Sequence, residues 1–87
     1  MLKMLFFYAN AEGLSKIQKE FVNNIEILFK GKVDVKKLDI EKDGKSAKIY
    51  DIKEAPAIIV EKDGKIVDKF FGLTQELFLK RSLEKNL

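Results

Sequence analysis

The run Leu2–Tyr8 is almost continuously apolar and is interrupted only by Lys3. A short apolar run without strict alternation is typical of a strand buried on both faces of its sheet. A strand of this kind needs other layers of structure on both sides, so we expect it near the centre of an α/β sheet.

The chain has 87 residues, which predicts one compact domain over 1–87. Its 46% hydrophobic and 36% charged residues are typical of a globular protein, and no apolar stretch is long enough to span a bilayer. The first apolar run stops at Tyr8 and has no basic leader before it, so we predict a cytoplasmic protein.

Cysteine and histidine are both absent from the chain. Their absence excludes disulfides, thiolate nucleophiles, imidazole bases and the usual zinc, iron–sulfur and haem ligands. No calcium-loop motif or tight acidic cluster appears either, so we predict no metal and no cofactor. All but one of the 17 basic residues, Arg81, are lysines scattered among acids, which argues against nucleic-acid and membrane partners.

After the first strand, apolar residues recur at spacings of three or four and predict an amphipathic helix that ends near Gly31. The stripe expected to be buried comprises Leu14, Ile17, Phe21, Ile25 and Leu28. A second strand is predicted over Val33–Ile40, where the one-residue phase shift at Lys36–Lys37 suggests a β-bulge.

The segment Gly44–Ile52 predicts a two-turn helix that ends before the only proline, Pro56. Its apolar contacts are expected from Ala47 and Tyr50, with Ile49 as a further candidate.

Two β-prone runs, Ala57–Glu61 and Lys65–Phe71, flank Asp63–Gly64 and predict an antiparallel hairpin. We expect Phe70 and Phe71 to pack in the core, rather than to form an exposed patch for a partner. Thr74 is the predicted cap of a last helix, whose apolar side would contain Leu77, Phe78, Leu79, Leu83 and Leu87. The predicted order is therefore βαβαββα, with a mixed four-stranded sheet flanked by three helices.

These elements carry motifs that resemble those of the thioredoxin family over essentially the whole chain. Phe7–Lys16 is similar to the family segment F-W-A-x-W-C-G-P-C-K and retains its glycine and lysine. Lys37–Glu41 is similar to the family's K-L-N/D-x-D, and Asp63–Lys65 is similar to its N-G-E/K. Tyr50, Ile52 and Pro56 have the spacing of the family's Y-x-I-x-x-x-P-T. Gly72 matches the glycine that the family has after its last strand. The resemblance implies a thioredoxin-like fold.

The departures from the family bear on activity. Glu12-Gly13-Leu14-Ser15 replaces the C-G-P-C motif, Ala11 replaces its tryptophan, and Phe6 replaces the buried aspartate of the first strand. Dithiol–disulfide exchange needs one thiolate to attack and a second thiol to resolve the mixed disulfide. The chain has neither, so we predict no catalytic residues for that reaction. With the aspartate gone, Lys37 is expected to be an ordinary cation at the end of its strand.

Glu12 and Ser15 are open to three interpretations. We favour a role in the first helical turn, where a carboxylate and a hydroxyl suit unpaired main-chain N–H groups. The alternative of a base and a nucleophile lacks a residue that would activate Ser15. A third possibility is direct polar contact with a partner.

The resemblance also implies a cis peptide bond between Ala55 and Pro56, beside the start of the first helix, where the family pairs with extended peptides. The expected binding surface contains Ala11, Ala55, Pro56, Gly72 and Leu73, with Leu14 adding to its apolar floor. The alternative is a proline that only ends the second helix. Main-chain pairing needs no thiol, so a peptide-binding groove can persist without the redox chemistry.

Three hypotheses for function follow. The first is a redox-inactive, monomeric protein that binds a protein or an extended peptide through this surface. The second is a member of the thioredoxin or glutaredoxin-like oxidoreductase lineage in which the cysteines have been lost or replaced. The resemblance implies that this lineage carries out thiol–disulfide exchange for cell redox homeostasis. The third is a structural subunit that does not use the groove.

Overall fold

The computed structural model describes residues 1–9 and 13–87. The elements follow the predicted order: β1 (Leu2–Tyr8), α1 (Leu14–Leu28), β2 (Val33–Asp39), α2 (Gly44–Ile49), β3 (Ala57–Lys62), β4 (Lys65–Phe71) and α3 (Glu76–Asn86). The four strands form one sheet in the order β2-β1-β3-β4. The described residues thus form an α/β fold with a mixed four-stranded sheet and three helices, as the sequence predicts.

Strand β1 occupies the centre of the sheet because it pairs on both sides. It runs parallel to β2, with Phe7 opposite Leu38, and antiparallel to β3, with Phe7 opposite Ala57. Strands β3 and β4 form the predicted hairpin, whose turn residues Asp63 and Gly64 have φ angles of 51° and 84°. Positive φ at two successive positions is typical of a tight hairpin turn, and glycine adopts it without a Cβ penalty.

The sheet buries a different core on each face. On one face, α1 and α3 pack over Met4, Phe6, Ile58 and Val60. On the other face, Ala47 of α2 packs with Leu5, Phe7, Ala57, Ile59 and the following Ile52. Alternate residues of β1 and β3 therefore contribute to opposite cores, which explains why both strands have apolar sequences without alternation. Within the part of the chain described, no helix combines the length and apolarity needed to cross a membrane.

The buried stripe of α1 differs from the prediction. Leu14, Ile17 and Leu28 are exposed and Phe21 is half-buried, so Ile25 alone of the predicted stripe is buried. The observed buried stripe is Ser15, Gln18, Val22, Ile25 and Phe29. Both stripes have helical spacing and lie side by side, so hydrophobic periodicity did not fix the rotation of the helix. The helix ends at Leu28, with Phe29 as its C-cap, before the predicted stop at Gly31.

The predicted bulge at Lys36–Lys37 is also wrong. Strand β2 pairs residue for residue with β1 from Val33 to Asp39. Val35 packs against the α1 side of the sheet, whereas Leu38 packs against the α2 side. The phase shift in the sequence therefore marks a change in which face is apolar, not an inserted residue. The register shift in the described sheet lies between Val60 and Glu61, where β3 pairs with β4.

The prediction that Phe70 and Phe71 both pack in the core is wrong for Phe71. Phe70 packs against the core below α3, but Phe71 points to the opposite face and is 53% exposed. Helix α2 has only six residues, Gly44–Ile49, and its core does not extend to β4. Ile49, the further candidate for contacts of α2, is exposed, whereas Ala47 and Tyr50 pack as expected.

The start and the apolar side of α3 also need correction. The N-cap residue is Gln75, without a side-chain cap, and Thr74 instead bonds through its main chain to Gln18. The predicted Thr74 cap is therefore wrong. Leu79 and Leu83 are buried as predicted, together with Ser82, but Leu77, Phe78 and Leu87 are exposed. The latter three lie outside the face that packs on the sheet.

Candidate functional site

One end of the sheet gathers most of the predicted site residues. Phe7 lies opposite Ala57, and Ala57 lies opposite Phe71, so the segments beyond these residues leave the sheet at the same end. The Gly72 N–H donates a hydrogen bond of 2.9 Å to the Pro56 carbonyl. The Ala55–Pro56 peptide bond is cis, the geometry that the resemblance implied.

We call this region the cis-proline surface. Its described members are Gly13, Leu14, Ser15, Ala55, Pro56, Gly72 and Leu73. Ala11 and Glu12, which the sequence also assigned to the site, lie outside the described residues. Pro56 is buried, Ala55 and Leu73 are half-buried, and Leu14 is exposed. The surface therefore combines a buried proline with apolar side chains that are half-buried or exposed.

Helix α1 begins at this surface. Gly13 is its N-cap, with φ 59° and ψ −136°, a conformation that favours glycine. Ser15 is buried, and its Oγ accepts a hydrogen bond of 3.2 Å from the Ala9 N–H. This hydroxyl thus ties the first turn of α1 to the chain leaving β1. Among residues 1–9 and 13–87, no acid or base bonds to Ser15, so the described site offers no activated nucleophile.

Gln18 holds the segment that follows Gly72 against α1. Its side chain is 0% exposed, its Nε2 donates to the Thr74 carbonyl at 3.0 Å, and its Oε1 accepts from the Thr74 N–H at 2.7 Å. The Thr74 hydroxyl donates to the Gly72 carbonyl at 3.3 Å. One buried amide therefore holds the Gly72–Thr74 segment against α1 and satisfies both main-chain groups of Thr74.

Tyr50 anchors the segment that leads to the cis bond. Its ring lies 5.9 Å from that of Phe7, centroid to centroid, and its hydroxyl donates to Glu61 Oε2 at 2.8 Å. Burial, followed by the hydrogen bond and the negative charge of Glu61, raises the pKa of the Tyr50 phenol. The neutral phenol is the donor in this bond, so the raised pKa and the geometry agree.

A pocket of about 410 Å³ adjoins the cis-proline surface. It is lined by Asp51, Lys53, Glu54 and Phe71. Glu54 immediately precedes Ala55, and Phe71 immediately precedes Gly72. The walls of the pocket are thus covalently continuous with two segments of the cis-proline surface.

Phe6, which replaces a family residue, and Lys37, which matches one, are not members of the cis-proline surface. Phe6, in the place of the family's buried aspartate, is buried in the core below α1 and α3. Lys37 makes an ion pair of 2.8 Å with Glu26 of α1, and both side chains are partly exposed. An exposed pair of this kind contributes little to stability, and Lys37 has no aspartate at position 6 to contact.

Sequence reasoning missed Gln18 and the pocket. Gln18 lies in register with Val22, Ile25 and Phe29, so a polar residue within the observed stripe was the available signal. The pocket could not be predicted from a local pattern, because its charged segment 51–54 lies before β3 and Phe71 lies at the end of β4.

The comparisons with known proteins agree with the geometry. A family model described as Thioredoxin matches residues 2–85. A thioredoxin of Staphylococcus aureus is 30% identical over 86 residues, which cover 99% of this chain and 83% of that protein.

Solved structures share the fold. A malarial protein superposes with a TM-score of 0.91 at 18% identity, covering 100% of this chain and 98% of that chain. A mutant thioredoxin from Halobacterium salinarum superposes with a TM-score of 0.86 at 24% identity, covering 98% of this chain and 74% of that chain. At such identities the structures support the fold alone. Because the family model spans almost the whole chain and a curated thioredoxin reaches 30% identity, the chain belongs to the thioredoxin family.

Proposed function

We propose that this thioredoxin-family chain is redox-inactive and binds a protein or an extended peptide non-covalently through the cis-proline surface. Its sequence contains no cysteine, so no residue of its own can carry out dithiol–disulfide exchange. Membership of the thioredoxin family supports descent from oxidoreductases, but it supplies no reacting atoms. Function therefore has to be argued from what the surface can bind.

The main chain of Ala55 carries the proposal. This residue is half-buried beside Pro56, and its N–H and C=O have no hydrogen-bond partner among residues 1–9 and 13–87. Main-chain groups that have no partner within the protein can pair with a neighbouring extended segment, and bonding to them would stabilise that segment. Leu73 and Leu14 offer apolar contacts on either side. Gln18 and Tyr50 hold the adjoining segments in place, which limits the entropy lost on binding.

The test is a titration of the ¹⁵N-labelled chain with pools of acetylated and amidated hexapeptides made of Ala, Val, Leu and Thr. We expect the largest shifts at the amides of Ala55, Gly72 and Leu73. N-methylation of the peptide main chain should abolish them, because it removes the donors that would pair with Ala55.

Leu73→Asp should weaken binding about tenfold or more, since it places a charge on the apolar side of the surface. Leu28→Asp is the matched control, because Leu28 is an exposed leucine at the last turn of α1, whereas the surface contains the first turn of that helix. Shifts that avoid residues 55–56 and 72–73, or no shifts with any pool, would refute the proposal and favour a structural subunit. An insulin-reduction assay tests the alternative: thiol-dependent turnover by the purified chain would establish an enzyme.

A further inference from the structure

The pocket beside the cis-proline surface has an unusual lining for this chain. Phe71, which is 53% exposed, lines it together with two carboxylates, from Asp51 and Glu54, and one ammonium group, from Lys53. The formal charge of the lining is therefore negative, although the whole chain carries +3. An exposed aromatic face together with carboxylates is complementary to a cation.

The position of the pocket suggests the source of that cation. Glu54 and Phe71 directly precede Ala55 and Gly72, so a peptide paired with Ala55 would bring its neighbouring side chains to the pocket. The volume of about 410 Å³ lies within the range of sites that hold organic groups, roughly 300 to 1,000 Å³. It is sufficient for a long basic side chain.

We propose that this pocket selects an arginine or lysine side chain of the peptide bound at the cis-proline surface. Arginine suits the lining better, because a planar guanidinium stacks on an aromatic ring and donates to carboxylates at its edge. Lys53 opposes a basic side chain by charge repulsion, so it limits the affinity. The inference rests on the proposed function and adds the chemical class of the partner.

The test uses the same hexapeptide pools, with arginine, norleucine or glutamate fixed in turn at each position. Norleucine keeps the length and apolar stem of a long side chain without the charge. At one or two positions, we expect arginine to bind about tenfold more tightly than norleucine, and glutamate to bind most weakly. Raising the salt concentration should reduce the preference, because the pocket is open to solvent.

Matched variants identify the residues responsible. Phe71→Leu should reduce the arginine preference several-fold, whereas Phe78→Leu changes a similarly exposed phenylalanine on α3 and should leave it unchanged. Asp51→Asn combined with Glu54→Gln should abolish most of the preference. Asparagine is chosen because position 51 has φ 56°, a region that asparagine tolerates. Lys53→Met should increase the preference for arginine, because it removes the positive charge from the lining.

The outcomes separate the two proposals. Equal binding of arginine and norleucine pools, with shifts at Ala55 and Leu73, would overturn the pocket assignment and leave the peptide-binding surface standing. Preference for glutamate would also overturn it, because Lys53 would then dominate the lining. Absence of binding by every pool would overturn the proposed function and this inference together.

Discussion

Gln18 shows how a polar residue can occupy the core of a helix face without an unpaired group. Its amide donates to and accepts from the main chain of Thr74, so four polar atoms are satisfied within two short bonds. The consequence is positional as well as energetic, because the segment Gly72–Leu73 reaches the cis-proline surface just before Thr74. A hydrophobic residue at position 18 would fill the space but could not form the two hydrogen bonds that hold Thr74 against α1.

Gln18→Met tests this interpretation. Methionine has a similar volume, so packing changes little, but the N–H and C=O of Thr74 lose their partners. We expect the free energy of unfolding in urea to fall by about 2 kcal/mol or more. Hydrogen exchange at the Thr74 amide should quicken. Lys19→Met, an exposed substitution on the same helix, is the control, and equal stability of the two variants would contradict the role of the amide.

Tyr50 gives a prediction on pH dependence. Burial and Glu61 raise the pKa of its phenol above the ordinary value of 10.0. The folded state therefore retains the proton more tightly than the unfolded state. The resulting stabilisation is fully present below about pH 10 and is lost as the pH rises through the raised pKa.

The measurement is an ultraviolet titration of tyrosinate in a Tyr8→Phe background. The chain has two tyrosines, so this substitution leaves only Tyr50 to titrate. Adding Glu61→Gln should bring the pKa part of the way back towards 10, because it removes the negative charge and keeps the burial. A pKa that does not respond to this change would show that Glu61 does not act on the phenol.

Helix α1 illustrates an ambiguity at the scale of the element. Two stripes of this helix, which share Ile25, have the spacing of an amphipathic face, but Leu14, Ile17 and Leu28 of the more apolar stripe are exposed. Bonds at the start of the helix accompany the observed rotation: Ser15 to Ala9, and Gln18 to Thr74. These partners are distant in sequence or lie outside the helix, so no periodicity within the helix reveals them.

A pair of isomeric side chains tests the assigned rotation. Ile25 is 1% exposed and Leu28 is 58% exposed, although the sequence predicts both to be buried. Ile25→Ala should lower the free energy of unfolding by about 2 to 4 kcal/mol through loss of burial and a residual cavity. Leu28→Ala should change it by less than about 0.5 kcal/mol. Similar losses in chemical denaturation would show that the helix is rotated differently.

The strands were more predictable than the helix faces. Strand β1 was assigned to its observed bounds because an apolar run of seven residues satisfies both faces of a central strand. The hairpin was assigned because Asp63–Gly64 supplies the positive φ angles that its turn requires. Both signals are local, whereas the exposure of Phe71 depends on how far α2 covers the neighbouring face.

At the scale of the whole molecule, the fold brings together segments that are far apart in sequence without any disulfide, because the chain has no cysteine. The pairing of Phe7 with Ala57, and of Ala57 with Phe71, aligns three chain exits at one end of the sheet. A scaffold of this kind determines where a site lies, whereas the residues placed there determine its chemistry. The same scaffold should therefore accept the chemistry of its family when the thiols are supplied.

Glu12→Cys combined with Ser15→Cys tests that expectation. The resemblance aligns these positions with the two cysteines of the C-G-P-C motif, so the double variant should oxidise to an intramolecular disulfide. The first thiol should have a lowered pKa because position 12 directly precedes Gly13, the N-cap of α1, in the sequence. Thiol titration and mass spectrometry measure both effects. The two single variants are controls, and crosslinks formed only between molecules would contradict the alignment.

The sequence by itself determined the order of elements, the central position of β1, the hairpin and the family resemblance, because these depend on local patterns and on motifs in order along the chain. It also predicted Pro56 and Gly72 as candidate site residues, and the Gly72 N–H donates a hydrogen bond to the Pro56 carbonyl. Only the tertiary structure decided which stripe of α1 is buried, how Gln18 fastens Thr74, and that Phe71 faces a pocket with Asp51 and Glu54. These features depend on contacts between segments remote in sequence, where rotation of a helix and coverage of a sheet face are set by packing.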